Sequence, residues 1–82
     1  MIVGNEDVVE VHVGVPEGHR HLRTRIVLRD GSEFVFQEAT IANIMRAFVT
    51  VKTDPVKKSV MLKGRRLQER KEGFAEWQLL EE

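Results

Sequence analysis

Two alternating runs near the N-terminus constrain the fold of this chain more than any other feature. In the first run, Val8 to Val15, every second residue from Val9 is a valine. The second run, Leu22 to Arg29, has apolar residues or threonine at alternate positions and three arginines between them. Strict alternation is typical of a strand with one buried face. A one-residue slip would set arginines against valines, so the two runs predict an antiparallel hairpin with coinciding apolar faces.

Charge and hydrophobic pattern favour the same register for this hairpin. On the solvent face it places Glu10 opposite Arg25, where a cross-strand pair of opposite charge contributes roughly 0.2 to 1 kcal/mol. The predicted pairs are Val13 with Leu22, Val11 with Thr24, Val9 with Ile26, and His12 with Arg23.

A third strand, Glu33 to Gln37, is predicted after the turn at Asp30-Gly31. A two-residue loop there would place Phe34 and Phe36 on the arginine face. An odd-length loop, with Gly31 in the left-handed conformation, keeps both phenylalanines on the apolar face. We therefore expect the odd-length loop and a three-stranded meander.

One amphipathic helix is predicted over about Ile41 to Val51. Thr40 is a good N-cap residue, and Asp54-Pro55 ends the helix because the residue before proline avoids helical geometry. The helix has one apolar stripe, which needs the apolar face of the sheet as its cover. The stripe consists of Ile41, Ile44, Met45 and Phe48.

The last third of the chain predicts a second hairpin, with one strand over about Lys58 to Leu67. The segment Phe74 to Leu80 contains good helix formers and is compatible with a helix or a strand. Cross-strand pairing favours the strand, in part because a strand would place the Trp77 ring over Gly64. The predicted pairs are Leu62 with Leu79, Leu67 with Phe74, Arg65 with Glu76, and Trp77 with Gly64.

The predicted fold is α+β, in the order βββαββ. It has an antiparallel sheet, made of the meander and extended by the C-terminal hairpin, with the amphipathic helix packed on one face. The 82 residues, 41% of them hydrophobic, suit one small domain over residues 1–82. Residues 1–6 precede the first strand and are a candidate disordered segment.

Composition removes several classes of function from consideration. The chain has no cysteine, which excludes disulfides, thiol nucleophiles and cysteine-based metal sites. The N-terminal residues lack the basic start and the apolar stretch of a signal peptide. No apolar run approaches the roughly 20 residues needed to span a bilayer. We expect a cytoplasmic protein with no membrane partner.

The net charge is zero, with 13 basic and 13 acidic side chains, but the charge is unevenly distributed. Residues 41–71 hold nine basic and two acidic side chains, a net of +7. Converging cations of this kind could bind a nucleic-acid backbone. The competing interpretation is a solvated hairpin whose cations protect a sheet edge and pair with nearby glutamates, and no exposed aromatic platform for bases is evident. The candidate nucleic-acid-binding residues are Lys57, Lys58, Lys63, Arg65, Arg66 and Arg70.

Catalytic and metal-binding chemistry have little support in the residues. His12, His19 and His21 come close together in the first hairpin, but neighbouring arginines and a flexible turn make a poor metal site. The serines do not occur in a nucleophile motif, and no glycine-rich phosphate loop is present. We therefore predict no metal, no cofactor and no enzymatic activity.

The remaining interpretation is a non-enzymatic protein-binding or assembly module that acts through the face or edge of its sheet. On the arginine face, Val8, Val27 and Val35 form a candidate apolar seam where a second chain could dock, with a homodimer as one form. Trp77, the only tryptophan, is a candidate interface residue near the C-terminus. Nucleic-acid binding through residues 57–71 is the alternative.

Overall fold

A computed structural model describes all residues, 1–82. Its element order is βββαββ after a short 3-10 turn, and the α+β class is confirmed. The chain forms two compact units, Met1–Ala42 and Asn43–Glu82. The single α-helix lacks the length and apolar content of a membrane span. The elements are β1 (Val8–Gly14), β2 (Arg23–Leu28), β3 (Glu33–Gln37), α1 (Glu38–Thr53), β4 (Leu62–Arg66) and β5 (Trp77–Glu81).

The N-terminal unit contains the predicted antiparallel meander, with β2 between β1 and β3. The predicted register of β1 and β2 is wrong by two residues along β2. Because side chains alternate with a period of two, this even shift leaves the assignment of residues to faces unchanged over most of β1. The observed pairs are Val11 with Ile26, His12 with Arg25, Val13 with Thr24, and Gly14 with Arg23.

A β-bulge near the start of β1 changes the face of the first residue. Val8 lies opposite Leu28 and Glu10 lies opposite Val27, so Val9 is an extra residue on the β1 side. A bulge leaves such a residue unpaired and interrupts the regular alternation. Val8 consequently shares the face of Leu28, opposite to the face predicted for it.

The turn between β2 and β3 confirms the odd-length loop. The amide of Leu28 donates to the carbonyl of Ser32 at 2.8 Å, which leaves three residues in the loop. Gly31 has φ +91°, the left-handed conformation that such a loop requires. The Asp30 carboxylate accepts a 2.8 Å hydrogen bond from the Ser32 amide. Phe34 therefore lies opposite Ile26 and Phe36 opposite Thr24, as the apolar pattern requires.

The segment before β1 includes a 3-10 turn at Asn5–Asp7. The amide of Gly4 donates to the Asp7 carboxylate at 2.9 Å. The carbonyl of Asp7 accepts from the amide of Arg29 at 2.8 Å, and the Arg29 guanidinium donates to the carbonyl of Glu6. Part of the segment that was a candidate for disorder is thus hydrogen-bonded to the end of β2.

Helix α1 is longer than predicted at both ends. It begins at Glu38, directly after β3, so Thr40 lies within its first turn and is not its N-cap. At the other end, the Thr50 and Thr53 hydroxyls donate to carbonyls four residues earlier, which satisfies these polar groups within the last turns of the helix. The helix ends before Asp54, whose carboxylate accepts hydrogen bonds from the amides of Val56 and Lys57 at 2.8 and 3.0 Å.

The C-terminal unit confirms the predicted hairpin, and residues 77–81 are a strand. Strands β4 and β5 form a two-stranded sheet of their own, so the prediction that this hairpin extends the meander is wrong. The predicted register is also shifted by two residues. The observed pairs are Leu62 with Glu81, Lys63 with Leu80, Gly64 with Leu79, Arg65 with Gln78, and Arg66 with Trp77.

Burial of apolar side chains is sparse along the chain. Leu28 is the only buried hydrophobic residue, with 4% of its surface exposed. The apolar stripe predicted on α1 is exposed at Ile44, Met45 and Phe48.

Candidate protein-interaction surface

One face of the meander presents hydrophobic side chains from all three strands. Observed pairing puts Val11, Ile26 and Phe34 in one row across the sheet, and Val13, Thr24 and Phe36 in the next. Val13 is 64% exposed and Phe34 is 42% exposed. We call these six residues, together with Val8 and Leu28, the apolar sheet face.

The two phenylalanines of β3 give this face an aromatic side. The rings of Phe34 and Phe36 are stacked, with centroids 6.5 Å apart and planes inclined by 18°. Aromatic side chains bury a large area with few rotatable bonds, which makes them common anchors at protein interfaces. Of the two rings, Phe34 is exposed and Phe36 is half-buried, so Phe34 is the ring that a partner can reach.

The opposite face of the meander is polar. Arg25 donates to the Glu33 carboxylate at 2.5 Å, and His12 lies 3.0 Å from the carboxylate of Glu10. The hydrogen bond from Arg25, reinforced by its positive charge, lowers the pKa of Glu33. The hydrogen bond to Glu33, reinforced by the charge of that carboxylate, raises the pKa of Arg25. Since these groups satisfy one another, we call this side the polar sheet face.

The structure does not assemble the predicted seam of Val8, Val27 and Val35. Val35 lies beside Arg25 on the polar sheet face, where Val27 is opposite Glu33. Val8 lies on the other side, opposite Leu28, because of the bulge in β1. Two valines separated diagonally among charged side chains do not form a continuous apolar patch.

No protein-family model, curated protein or solved structure matches this chain.

The helix adds a second exposed apolar surface. Ile41, Ile44, Met45 and Phe48 recur at the spacing that places side chains on one side of a helix. Phe48 is 58% exposed, and Ile44 and Met45 are also exposed. We call these four residues the helix stripe.

Trp77 lies in β5 as predicted, but its surroundings differ from the expectation. It is opposite Arg66, whereas Leu79 is opposite Gly64. Leu79 is the closest side chain to the position that a Cβ atom on Gly64 would occupy, at 4.0 Å. Trp77 is 62% exposed and remains a candidate contact residue, separate from the apolar sheet face.

Most of the predicted nucleic-acid-binding cations are paired with carboxylates in the C-terminal unit. Glu82 lies 3.1 Å from Lys63 and 3.3 Å from Arg65, and Arg66 lies 3.2 Å from Glu76. Lys57 is paired with Glu81. Strand alternation puts Lys63 and Arg65 on one face of the hairpin and Arg66 on the other. The hairpin therefore presents mixed charge on both faces, rather than one continuous basic surface.

The three histidines of the first hairpin have separate surroundings. His12 is close to Glu10, while His21 lies 2.9 Å from the carboxylate of Glu38 at the start of α1. No group of three or more histidine, cysteine, aspartate or glutamate side chains is arranged to hold a metal ion.

A cavity of about 350 Å³ lies beside the end of β2. Its two carboxylates already accept hydrogen bonds from backbone amides, Asp7 from Gly4 and Asp30 from Ser32. The Ser32 amide lowers the pKa of Asp30, which favours an ionised acceptor over a proton donor at neutral pH. The lining residues are Met1, Ile2, Asp7, Leu28, Arg29 and Asp30.

The alternating pattern assigned the residues of the apolar sheet face, except Val8, to the interior. Val13 and Phe34 carry the alternation expected of a core face, and nothing in that pattern distinguishes burial in one chain from burial against another. Their exposure, visible only in three dimensions, makes them candidate interaction residues.

Proposed function

We propose that this protein is a non-enzymatic protein-binding or assembly module whose binding surface is the apolar sheet face. The observation that carries the proposal is the exposure of Val11, Val13 and Phe34 on the apolar sheet face, beside the half-buried Ile26 and Phe36. Large apolar patches rimmed by polar residues are characteristic of interaction sites. The polar sheet face and the ion-paired hairpin offer no comparable surface.

Energetics favour a partner on this face. Full burial of a valine or phenylalanine side chain is worth about 1.5 to 3 kcal/mol relative to exposure. Val11, Val13 and Phe34 are 56%, 64% and 42% exposed, so covering the area that remains exposed would contribute about 2 to 5 kcal/mol, a substantial part of the roughly 5 to 15 kcal/mol that stabilises a typical domain. A protein partner can provide that cover.

Site-specific photo-crosslinking would test the proposal. A benzophenone amino acid is introduced at Phe34, on the apolar sheet face, or at its neighbour Val35, which is 59% exposed on the polar sheet face. Positions 34 and 35 are adjacent in β3, and their side chains point to opposite sides of the sheet. The two crosslinking groups therefore differ mainly in which face of the sheet they probe. We expect protein adducts from position 34, weakened by Val13→Gln, and few from position 35. Absence of adducts from both positions, or equal yields, would contradict the proposal.

Nucleic-acid binding through residues 57–71 remains the alternative. The ion pairs of Lys57, Lys63, Arg65 and Arg66 weigh against it. Each pair would have to open before its cation could neutralise a phosphate. The cytoplasmic location expected from composition also remains a prediction.

A further inference from the structure

We infer that β1 pairs with the β1 of a second copy of this chain, so that the two meanders join edge to edge into one sheet. Backbone groups at the edge of the sheet make this contact. The inference is therefore separate from the proposed function of the apolar sheet face. Every feature that supports it lies within residues 7–37.

The outer edge of β1 has no strand beside it. In the meander β2 lies between β1 and β3, and β1 is paired with β2 alone. A strand at the edge of a sheet presents a row of unpaired N–H and C=O groups, which is a template for another strand. The edge of β1 is thus able to accept a further strand.

The hydrogen bonds at the end of β2 show which way its backbone groups point. The Leu28 amide donates to the carbonyl of Ser32, on the β3 side, at 2.8 Å. The next amide, that of Arg29, donates to the carbonyl of Asp7 on the β1 side, also at 2.8 Å. Successive residues of a strand direct their backbone groups to opposite neighbours. Leu28 therefore faces β3, and so does every second residue of β2 before it.

Val11 and Val13 are the residues of β1 whose backbone groups face the outer edge. Val11 lies opposite Ile26, and Val13 lies opposite Thr24. Ile26 and Thr24 follow the alternation from Leu28 and direct their backbone groups towards β3, so neither of these two pairs is hydrogen-bonded. The N–H and C=O groups of Val11 and Val13 consequently point away from β2.

This edge lacks the usual protection against a further strand. Natural edge strands are commonly protected by lysine, proline or a bulge. Residues 10–14 contain no lysine, arginine or proline, and the bulge at Val9 lies before this regular segment. The His12 imidazole lies 3.0 Å from the Glu10 carboxylate, so the two polar side chains of the segment satisfy each other. The regular part of β1 is therefore open to pairing.

An antiparallel copy of β1 matches the outward backbone groups. A two-fold axis beside His12 sets Val11 of each copy opposite Val13 of the other. Both pairs are then hydrogen-bonded, and because each such pair exchanges two bonds, the contact supplies about four backbone hydrogen bonds. A two-fold axis beside Val11 would instead set Val13 opposite the bulged Val9, where regular pairing is interrupted.

The side chains are also complementary in this register. On the apolar sheet face, Val11 of one copy meets Val13 of the other, and β-branched side chains pack well across neighbouring strands. On the polar sheet face, Glu10 of each copy lies diagonal to His12 of the other, within reach of long side chains. The register requires two identical strands, which one chain cannot provide, so it forms only between copies.

The first measurement is the mass of the purified full chain in solution. Sedimentation equilibrium is expected to show a mass that rises from the 9.5 kDa of one copy towards about 19 kDa at high micromolar concentration. A mass of one copy at the highest soluble concentration would overturn the inference. Crosslinking from position 34 to a different protein would then still support the proposed function.

A matched pair of proline variants locates the contact at the edge of β1. Val13→Pro removes an outward N–H and leaves the hydrogen bonds to β2 intact. Val35→Pro does the same at the edge of β3, because Val35 lies opposite Arg25, whose backbone groups face β1. Proline is tolerated in edge strands where its missing N–H faces outward.

We expect Val13→Pro to weaken the dimer by at least about tenfold, because two symmetric hydrogen bonds are lost. Val35→Pro should leave the association unchanged. Circular dichroism checks that both variants are folded. Equal weakening by the two changes would overturn the assignment to β1.

The absence of cysteine permits a test of the register that does not depend on proline. In an antiparallel pair without hydrogen bonds the Cα atoms are about 4.5 Å apart, within the range of roughly 4.4 to 6.8 Å found in disulfides. His12→Cys should therefore form a disulfide between copies on mild oxidation. Glu10→Cys, on the same face, lies opposite Gly14 of the other copy and should remain largely reduced. Equal yields from the two variants, or no disulfide from either, would overturn the two-fold register.

Discussion

At the scale of single residues, Gly31 determines which side of the meander becomes apolar. Its left-handed backbone closes a three-residue loop between β2 and β3. That loop places Phe34 opposite Ile26 and keeps both phenylalanines of β3 on the apolar sheet face. A loop of even length would have placed them beside Arg25.

Replacement of Gly31 by alanine should therefore destabilise the protein. A side chain in the left-handed region costs roughly 1 to 2 kcal/mol, and no atom within 4 Å obstructs the new Cβ, so the cost is purely conformational. Gly14→Ala is the control, because that site is equally open and its φ is not positive. Urea unfolding at one protein concentration should show a lower midpoint for Gly31→Ala only. Equal behaviour of both variants would contradict the role of the left-handed loop.

The Arg25–Glu33 pair predicts a pH dependence on the polar sheet face. The pKa of Glu33 is lowered by the hydrogen bond from Arg25, so the pair stabilises the fold above the ordinary carboxyl pKa of about 4.3. This contribution is lost as the pH falls through the lower pKa of the folded state.

Carboxyl NMR titration measures this effect directly. We expect the pKa of Glu33 to lie below the ordinary value and to return towards it in Arg25→Gln. Arg23→Gln removes a cation from the same face and should leave the Glu33 pKa nearly unchanged, because Arg25 is the cation that contacts it. An ordinary pKa in the wild-type protein would contradict the predicted pairing.

At the scale of elements, the C-terminal hairpin illustrates how charge patterning and register act together. Arg66 meets Glu76 just before β5, and Lys63 and Arg65 both meet Glu82 just after it. The two-residue difference from the predicted register changes the residue opposite Arg65 from Glu76 to Gln78. A strongly basic stretch of sequence consequently becomes a hairpin with mixed charge.

Removal of the carboxylate that pairs with Lys63 and Arg65 should increase the affinity of the protein for polyanions. Glu82→Gln frees Lys63 and Arg65 together, whereas Glu72→Gln removes the same charge from a residue that forms no ion pair. We expect weak binding of a labelled oligonucleotide by the wild-type protein. In Glu82→Gln, but not Glu72→Gln, the slope of log affinity against log salt should steepen by about 1 to 2 units. Strong, salt-sensitive binding by the wild-type protein would instead support the nucleic-acid alternative.

At the scale of the whole molecule, stability and association are linked if a second copy pairs along β1. Leu28 is the only hydrophobic side chain that the chain buries, so a partner on the apolar sheet face would add to its stability. Obligate homodimers often lack a stable folded monomer, so their stability depends on protein concentration.

The urea midpoint should therefore rise with protein concentration. A tenfold increase changes the balance between a dimer and two unfolded chains by about 1.4 kcal/mol, which corresponds to about 0.5 to 1 M urea for a protein of this size. Unfolding would be followed by circular dichroism between low and high micromolar concentrations. A midpoint that is constant across this range would contradict coupled folding and association.

Several features of the protein were determined by the sequence alone. Alternation assigned Val11, Val13, Ile26 and both phenylalanines of β3 to one side of the sheet, because the side-chain period of a strand is two. Comparison of a two-residue loop with an odd-length loop predicted the left-handed conformation of Gly31. The spacing of apolar residues predicted one helix and a second hairpin. These features depend on residues close together in the chain, which is why local patterns were sufficient.

Only the tertiary structure decided the register, the bulge and the exposure of each face. A shift by two residues preserves alternation, so the pattern could not distinguish the predicted partner of Val11, Thr24, from the observed one, Ile26. The bulge at Val9 moved Val8 to the other face without any break in the run of valines. A strand buried in a core and a strand at an interface have the same apolar pattern. Only the three-dimensional structure shows that Val13 and Phe34 are exposed.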